Sequence, residues 1–137
     1  MLSAEYIVGL VDGEGSFNLR LNTLKRRRAK VELRFSLKLR AEDKDILDEL
    51  KRYFRCGNVY RQIDKRPNHG LCFRYEVQNR KEIMEKIIPF FEENKPMIAS
   101  KKRDFDLFRK IAYLVKENAD KTEEGLKEIA ALKEKMH

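Results

Sequence analysis

Eleven consecutive residues, Lys30 to Arg40, alternate without a break, setting Val31, Leu33, Phe35, Leu37 and Leu39 against Lys30, Glu32, Arg34, Ser36, Lys38 and Arg40. Successive side chains of an extended strand point to opposite faces, so the run reads as a half-buried strand. A slip of one residue in its register would turn the whole apolar set to water. The chain therefore builds an antiparallel sheet with one face on a core and the other in solvent. That solvent face is cationic, with Glu32 the one acid among the residues placed outward on the first two strands.

The same period of two begins upstream at Ser16, where Phe17, Leu19 and Leu21 alternate with Ser16, Asn18, Arg20 and Asn22. The basic run Lys25-Arg26-Arg27-Arg28 is read as the turn between the two strands. Ahead of them, Ala4, Ile7, Val8 and Val11 follow Ser3 at helical spacing, which predicts a short helix over residues 3–12, ended by Gly13-Glu14-Gly15. Helical spacing returns through Ile46, Leu47, Leu50 and Phe54, predicting a helix over 43–54 that stops near Gly57. Strands at about 58–64 and 71–78 follow, joined by a turn at 65–70. Asn79 with Glu82 forms a capping-box-like start to a helix interrupted near Pro89. A helix from about 100 to 116 comes next, and Asp120 with Glu123 opens a last one, about 121–135. This is an α+β pattern of two ββα-like halves in a single domain, 1–137.

Thirty-one lysines and arginines against 23 acids leave a formal charge of +8, which calls for a polyanionic partner such as nucleic acid. No apolar run approaches the roughly 20 residues that span a bilayer, and the start MLSAEYIVGL has neither a basic leader nor a cleavage site. The expectation is an intracellular protein that is not secreted and has no membrane partner. Cys56 and Cys72 are the only cysteines and lack metal-ligand spacing, so both are read as buried thiols.

Ile7-Val8-Gly9-Leu10-Val11-Asp12-Gly13-Glu14-Gly15, followed by Ser16-Phe17, resembles the nine-residue motif of the LAGLIDADG homing endonucleases. Cys56-Gly57-Asn58-Val59 before the third strand and Pro89-Phe90-Phe91 before a lysine cluster extend the resemblance over about residues 3–117. It implies an αββαββα fold with a curved antiparallel sheet, here with C-terminal helices added. The activity it implies is a site-specific, metal-dependent double-strand break with short 3′ overhangs in a long, roughly palindromic DNA target. The alternative on the same fold is a non-catalytic intron maturase or DNA-binding regulator. A basic domain unrelated to nucleic acid is the third reading, and it requires the motif to be coincidental.

Gly9 and Gly13, four residues apart, share one helix face and let a second helix approach closely. One motif per chain makes a paired helix only with a second chain, so a homodimer with a two-fold axis through these glycines is expected. By resemblance Glu14 supplies the metal-binding carboxylate, joined by the Gly13 carbonyl. That oxygen set suits Mg²⁺ or Mn²⁺, with no organic cofactor. Asp12 is assigned to the helix end and its packing. Lys101, with Lys102 one residue on, matches the family's pocket lysine and completes the expected catalytic set. Two other pocket positions fall near Leu39 and Asp43, which do not fit; Lys38, Arg40 or Lys44 are the substitutes considered. The expected contacts to double-stranded DNA are Asn18, Arg20, Asn22, Arg34, Ser36, Lys38 and Arg40 on the first hairpin and Tyr60, Gln62 and Arg74 on the second. Lys25, Arg27 and Arg28 of the turn would reach backbone or outer bases. His69 and His137 are given no role.

Overall fold

A computed structural model describes residues 2–22, 30–63 and 70–137. Helix α1 (Ala4–Glu14) leads directly into β1 (Gly15–Asn22), and β2 (Lys30–Arg40) pairs with it in antiparallel register, Phe17 across from Phe35. A 3₁₀ turn at Ala41–Asp43 opens α2 (Lys44–Phe54), followed by β3 (Asn58–Ile63) and β4 (Leu71–Val77). The stretch Arg80–Glu82, Ile83–Ile87 and Ile88–Glu93 is one continuous helical segment, α3. Helices α4 (Ala99–Lys116) and α5 (Glu123–Glu134) complete the chain. The four strands run antiparallel in the order β1-β2-β4-β3, so the long alternating strand lies inside the sheet. The α+β class and the element order are those predicted.

Strand alternation sends Phe17, Leu19, Val31, Leu33, Phe35, Leu37, Tyr75 and Val77 to one face, where the helices cover them. Phe17 is the hub of this core. Its ring lies 5.1 to 5.4 Å from those of Phe35, Phe91, Phe105 and Phe108, joining two strands to α3 and α4. The Tyr75 hydroxyl donates to the Cys56 carbonyl (2.8 Å) at the entry to β3. Cys56 and Cys72 are both free and buried, and burial pushes the Cys56 thiol pKa up, which keeps it unreactive.

Four local expectations are corrected. Helix α1 ends within Gly13-Glu14-Gly15 as expected but runs two residues past the predicted 3–12, taking in Gly13 and Glu14, because β1 starts at Gly15 without a loop. At the end of α2 the left-handed turn is made by Arg55 (φ 56°), and Gly57 (φ 82°) serves the entry to β3 instead, where a Cβ would come within 2.9 Å of the Tyr75 ring and 2.8 Å of the Glu76 carbonyl. Pro89 does not interrupt α3. The Ile88 N–H reaches back five residues to the Ile83 carbonyl, and this wide turn just before Pro89 lets the helix run on to Glu93. The last helix is capped by Thr122, whose hydroxyl accepts from the Gly125 N–H (3.0 Å). Asp120 is instead buried and pairs with Arg80 at 3.1 Å.

Candidate functional site

The motif ends where α1 becomes β1. A strand can leave a helix this abruptly only if the first strand residue brings no side chain, and at Gly15 a Cβ would lie 2.7 Å from the Val11 side chain and 3.0 Å from its backbone. The Gly15 N–H closes the helix on the Val11 carbonyl, leaving the Gly13 and Glu14 carbonyls among the last ones that no intrahelical donor reaches. Glu14 itself is exposed at this tip. Gly9 and Gly13 are exposed as well, and a Cβ added to either would meet nothing within 4 Å, so the face they share is open in the single chain.

Helix α4 brings Lys101 to the same point: its half-buried ammonium donates to the Gly15 carbonyl, one residue from Glu14. A cation at a helix C-terminus also meets the negative end of the helix dipole. Lys102, the second choice, is exposed, and its backbone N–H donates to the Ile98 carbonyl at 2.8 Å. Asp12 determines where α4 starts. Its carboxylate accepts from the backbone N–H of Met97 at both oxygens (3.1 Å each) and from that of Ile98 at Oδ1 (3.3 Å), so α1 caps the start of α4 across 85 residues of sequence. Charge-assisted hydrogen bonds of this kind are worth about 1.5–3 kcal/mol. Asp12→Ala should therefore lower unfolding free energy by roughly 1–2 kcal/mol and speed amide exchange at Met97 and Ile98. Unchanged exchange at both amides would show that the cap is not formed in solution.

Of the residues considered for the two departing pocket positions, Leu39 lies on the inward side of β2, across from Phe73, and Asp43 is exposed in the turn before α2. Lys44 is bound to Asp48 (2.8 Å) and lies over the Phe73 ring. Lys38 follows Leu37, the residue across from Gly15, and is the nearest of the substitutes in register to the tip of α1; Arg40 lies further out at the strand end.

The second element is the polar sheet face. Register places Ser36 across from Ser16, Arg34 from Asn18 and Glu32 from Arg20, while Asn22 pairs with Lys30 at the strand ends. On the other side Lys38 faces Arg74, which faces Tyr60, and Arg40 faces Cys72, which faces Gln62. Asn18, Arg20, Arg34, Ser36, Lys38, Arg40, Tyr60, Gln62 and Arg74 thus share one face. Lys25, Arg27 and Arg28 lie outside the described residues. Two features escaped the sequence reading. Glu76 is a second acid on the polar face, legible only if the alternation Cys72, Arg74, Glu76 is followed through β4. His137 is engaged, its backbone N–H and Nδ1 each 2.9 Å from the buried Asp104 carboxylate, and no spacing rule could have paired residues so far apart.

Among the described residues no three His, Cys, Asp or Glu side chains are grouped so as to hold a metal ion, and no helix is long and apolar enough to cross a membrane.

The LAGLIDADG endonuclease family model matches residues 7–112. A probable intron-encoded DNA endonuclease of Mycosarcoma maydis is 34% identical over 106 residues, which are 77% of this chain and 35% of the relative. The chain spans 24% to 35% of the length of the first four curated relatives. Among solved structures, the I-SmaMI LAGLIDADG homing endonuclease bound to cleaved DNA superposes with a TM-score of 0.88 at 34% identity, over 98% of this chain and 44% of that one. The homing endonuclease I-TnaI gives a TM-score of 0.86 at 27% identity, over 99% of this chain and 88% of that one.

Proposed function

The chain belongs to the LAGLIDADG endonuclease family, and from that premise we propose that it forms one half of a site-specific homing endonuclease. Its expected product is a double-strand break with short 3′ overhangs in a long, roughly palindromic DNA target. The observation that carries this reading is the meeting of Lys101 with the Gly15 carbonyl, one residue from exposed Glu14, at the end of a helix whose Gly9 and Gly13 face is open. A second copy placed against that face would bring two such tips together on a two-fold axis. I-TnaI, of whose solved chain this one covers 88%, is a relative of single-unit size.

The donors at each tip are a carboxylate and a helix-terminal carbonyl, an all-oxygen set that fits a hard divalent cation such as Mg²⁺ or Mn²⁺. One chain offers too few donors for a closed shell among its described residues, so a bound ion would need further oxygens from outside the chain. When bound, the ion supplies Lewis-acid polarisation of the phosphodiester and lowers the pKa of an attacking water. Glu14 and the Gly13 carbonyl are the groups that would hold it. Lys101, kept at the junction by the Gly15 carbonyl, places a fixed positive charge where negative charge builds up during the reaction. Lys102, exposed one position on, is placed to meet backbone phosphates instead. The sheet's polar face lies along the major groove, with Asn18, Arg20, Arg34, Ser36, Lys38, Arg40, Tyr60, Gln62 and Arg74 toward base edges. The protein acts within the cell, where such DNA is found.

The test is cleavage of a plasmid library carrying randomised palindromic sites, with Mg²⁺ and with chelator. Linear product with defined ends that requires the ion is the expected result. Sequence-selective binding with no cutting under several divalent ions would move the assignment to a maturase or a DNA-binding regulator.

A further inference from the structure

A carboxylate on a surface that meets a polyanion is a liability, since it repels phosphates and costs affinity. Glu76 sits in the middle of the polar face, across from Ser36 on one side and Asn58 on the other. Its side chain is only 10% exposed. One oxygen, Oε1, lies 3.1 Å from Arg34 Nε and 3.7 Å from Arg74 Nη1. The other accepts from Gln78 Nε2 at 2.9 Å. Three side chains thus converge on this carboxylate: Arg34 diagonally across the β2–β4 pair, Arg74 two residues back on β4, and Gln78 just past the end of β4.

The contact with the arginines is electrostatic more than hydrogen-bonded. Among the described residues Oε1 has no hydrogen-bond partner of good geometry, although it is buried. A guanidinium carries five donors in a planar fork, and here that fork is drawn into place without its donors being used up. Ion pairs at partly exposed sites contribute little to stability, typically 0–1 kcal/mol, so fold stability alone is a weak reason for this trio. Both arginines are about 30% exposed, Arg34 at 28% and Arg74 at 30%, and so can reach a ligand over the face.

Resting on the endonuclease reading above, we propose that Glu76 is a positioning residue for DNA specificity. It holds Arg34 and Arg74 as a preorganised pair that reads two neighbouring guanines. The chemistry is specific to that base: a bidentate fork onto O6 and N7 is the commonest specific arginine contact in the major groove. Both guanidinium nitrogens reach the same carboxylate oxygen, which keeps them within roughly two base-pair steps of each other, at about 3.4 Å a step. The bound half-site therefore carries two G·C pairs, adjacent or with one pair between them, under the middle of the sheet. Glu76 touches neither base, and its charge is offset by the two guanidiniums it orders.

The experiment is affinity selection from a randomised duplex library with the wild-type 137-residue chain and with Glu76→Gln, Arg34→Ala, Arg74→Ala, the double arginine variant and the triple variant. Thermal melts are run in parallel to exclude unfolding. Wild-type protein should enrich two near-adjacent G·C pairs, each preferred by roughly tenfold or more over other pairs. Arg34→Ala should erase one of them and Arg74→Ala the other. Glu76→Gln, with a melt close to wild type, should weaken both preferences by several-fold, and it should add nothing further once both arginines are gone. If Glu76→Gln switches the preference at a single position, Glu76 reads a base itself and the proposal falls. If it leaves both preferences intact, the proposal also falls while the endonuclease reading stands. Should the wild-type chain enrich no duplex sequence at all, both fall together.

Discussion

Glu14→Gln is expected to leave duplex binding within a few-fold of wild type and to cut strand cleavage by at least about a thousandfold, the effect of losing several kcal/mol of transition-state stabilisation. The amide keeps the size and one oxygen of the carboxylate but removes the charge that a divalent cation requires from its ligand. Folding should be untouched, because Glu14 is exposed at the tip of α1 and makes no contact there that the core needs. Single-turnover cleavage of the duplex selected by the wild-type protein, with binding measured in Ca²⁺ on the same duplex, separates the two effects. Cleavage within tenfold of wild type would remove Glu14 from the metal site.

Phe17→Ala should cost about 3–5 kcal/mol of unfolding free energy, enough to consume much of the 5–15 kcal/mol by which domains are usually stable. Phe17 is fully buried and its ring meets those of Phe35, Phe91, Phe105 and Phe108. Truncation leaves a cavity bounded by β1, β2, α3 and α4, and none of these can close it without moving against its other neighbours. Phe17→Leu, which keeps most of the volume, should cost less, about 1–2 kcal/mol. Urea unfolding of the three proteins measures this, and a loss under about 1 kcal/mol for the alanine variant would deny Phe17 its place as the hub.

Much of this was legible because it was local. The alternation of Lys30–Arg40 set the strand, its buried face and its polar face, and Ser3 capped α1 as its hydroxyl requires. Asn79 likewise accepts from the Glu82 N–H, as the capping pattern predicted. What could not be read depended on pieces distant in sequence. The wide turn before Pro89, closed from Ile88 back to Ile83, leaves no mark in residue type, and propensity alone reads the proline as a break. Asp120 looked like a cap because of its type and spacing, but Arg80, forty residues away, holds it, and Thr122 does the capping. At the candidate site, Glu14 and Lys101 were legible by resemblance. The contact between Lys101 and Gly15 and the bracing of α4 by Asp12 were not, since both join residues some 85 positions apart.

The absence of any loop between α1 and β1 has a thermal meaning. Glu14 is the final residue of one regular element and touches the first residue of the next, so no hinge lies beside it that could soften alone. To displace its carboxylate, heat must fray a helix whose inner side is core or unzip a strand paired along its length with β2. The backbone that carries the candidate centre is therefore expected to open together with α1 and β1, not ahead of them, which amide exchange at Glu14 and Gly15 would show.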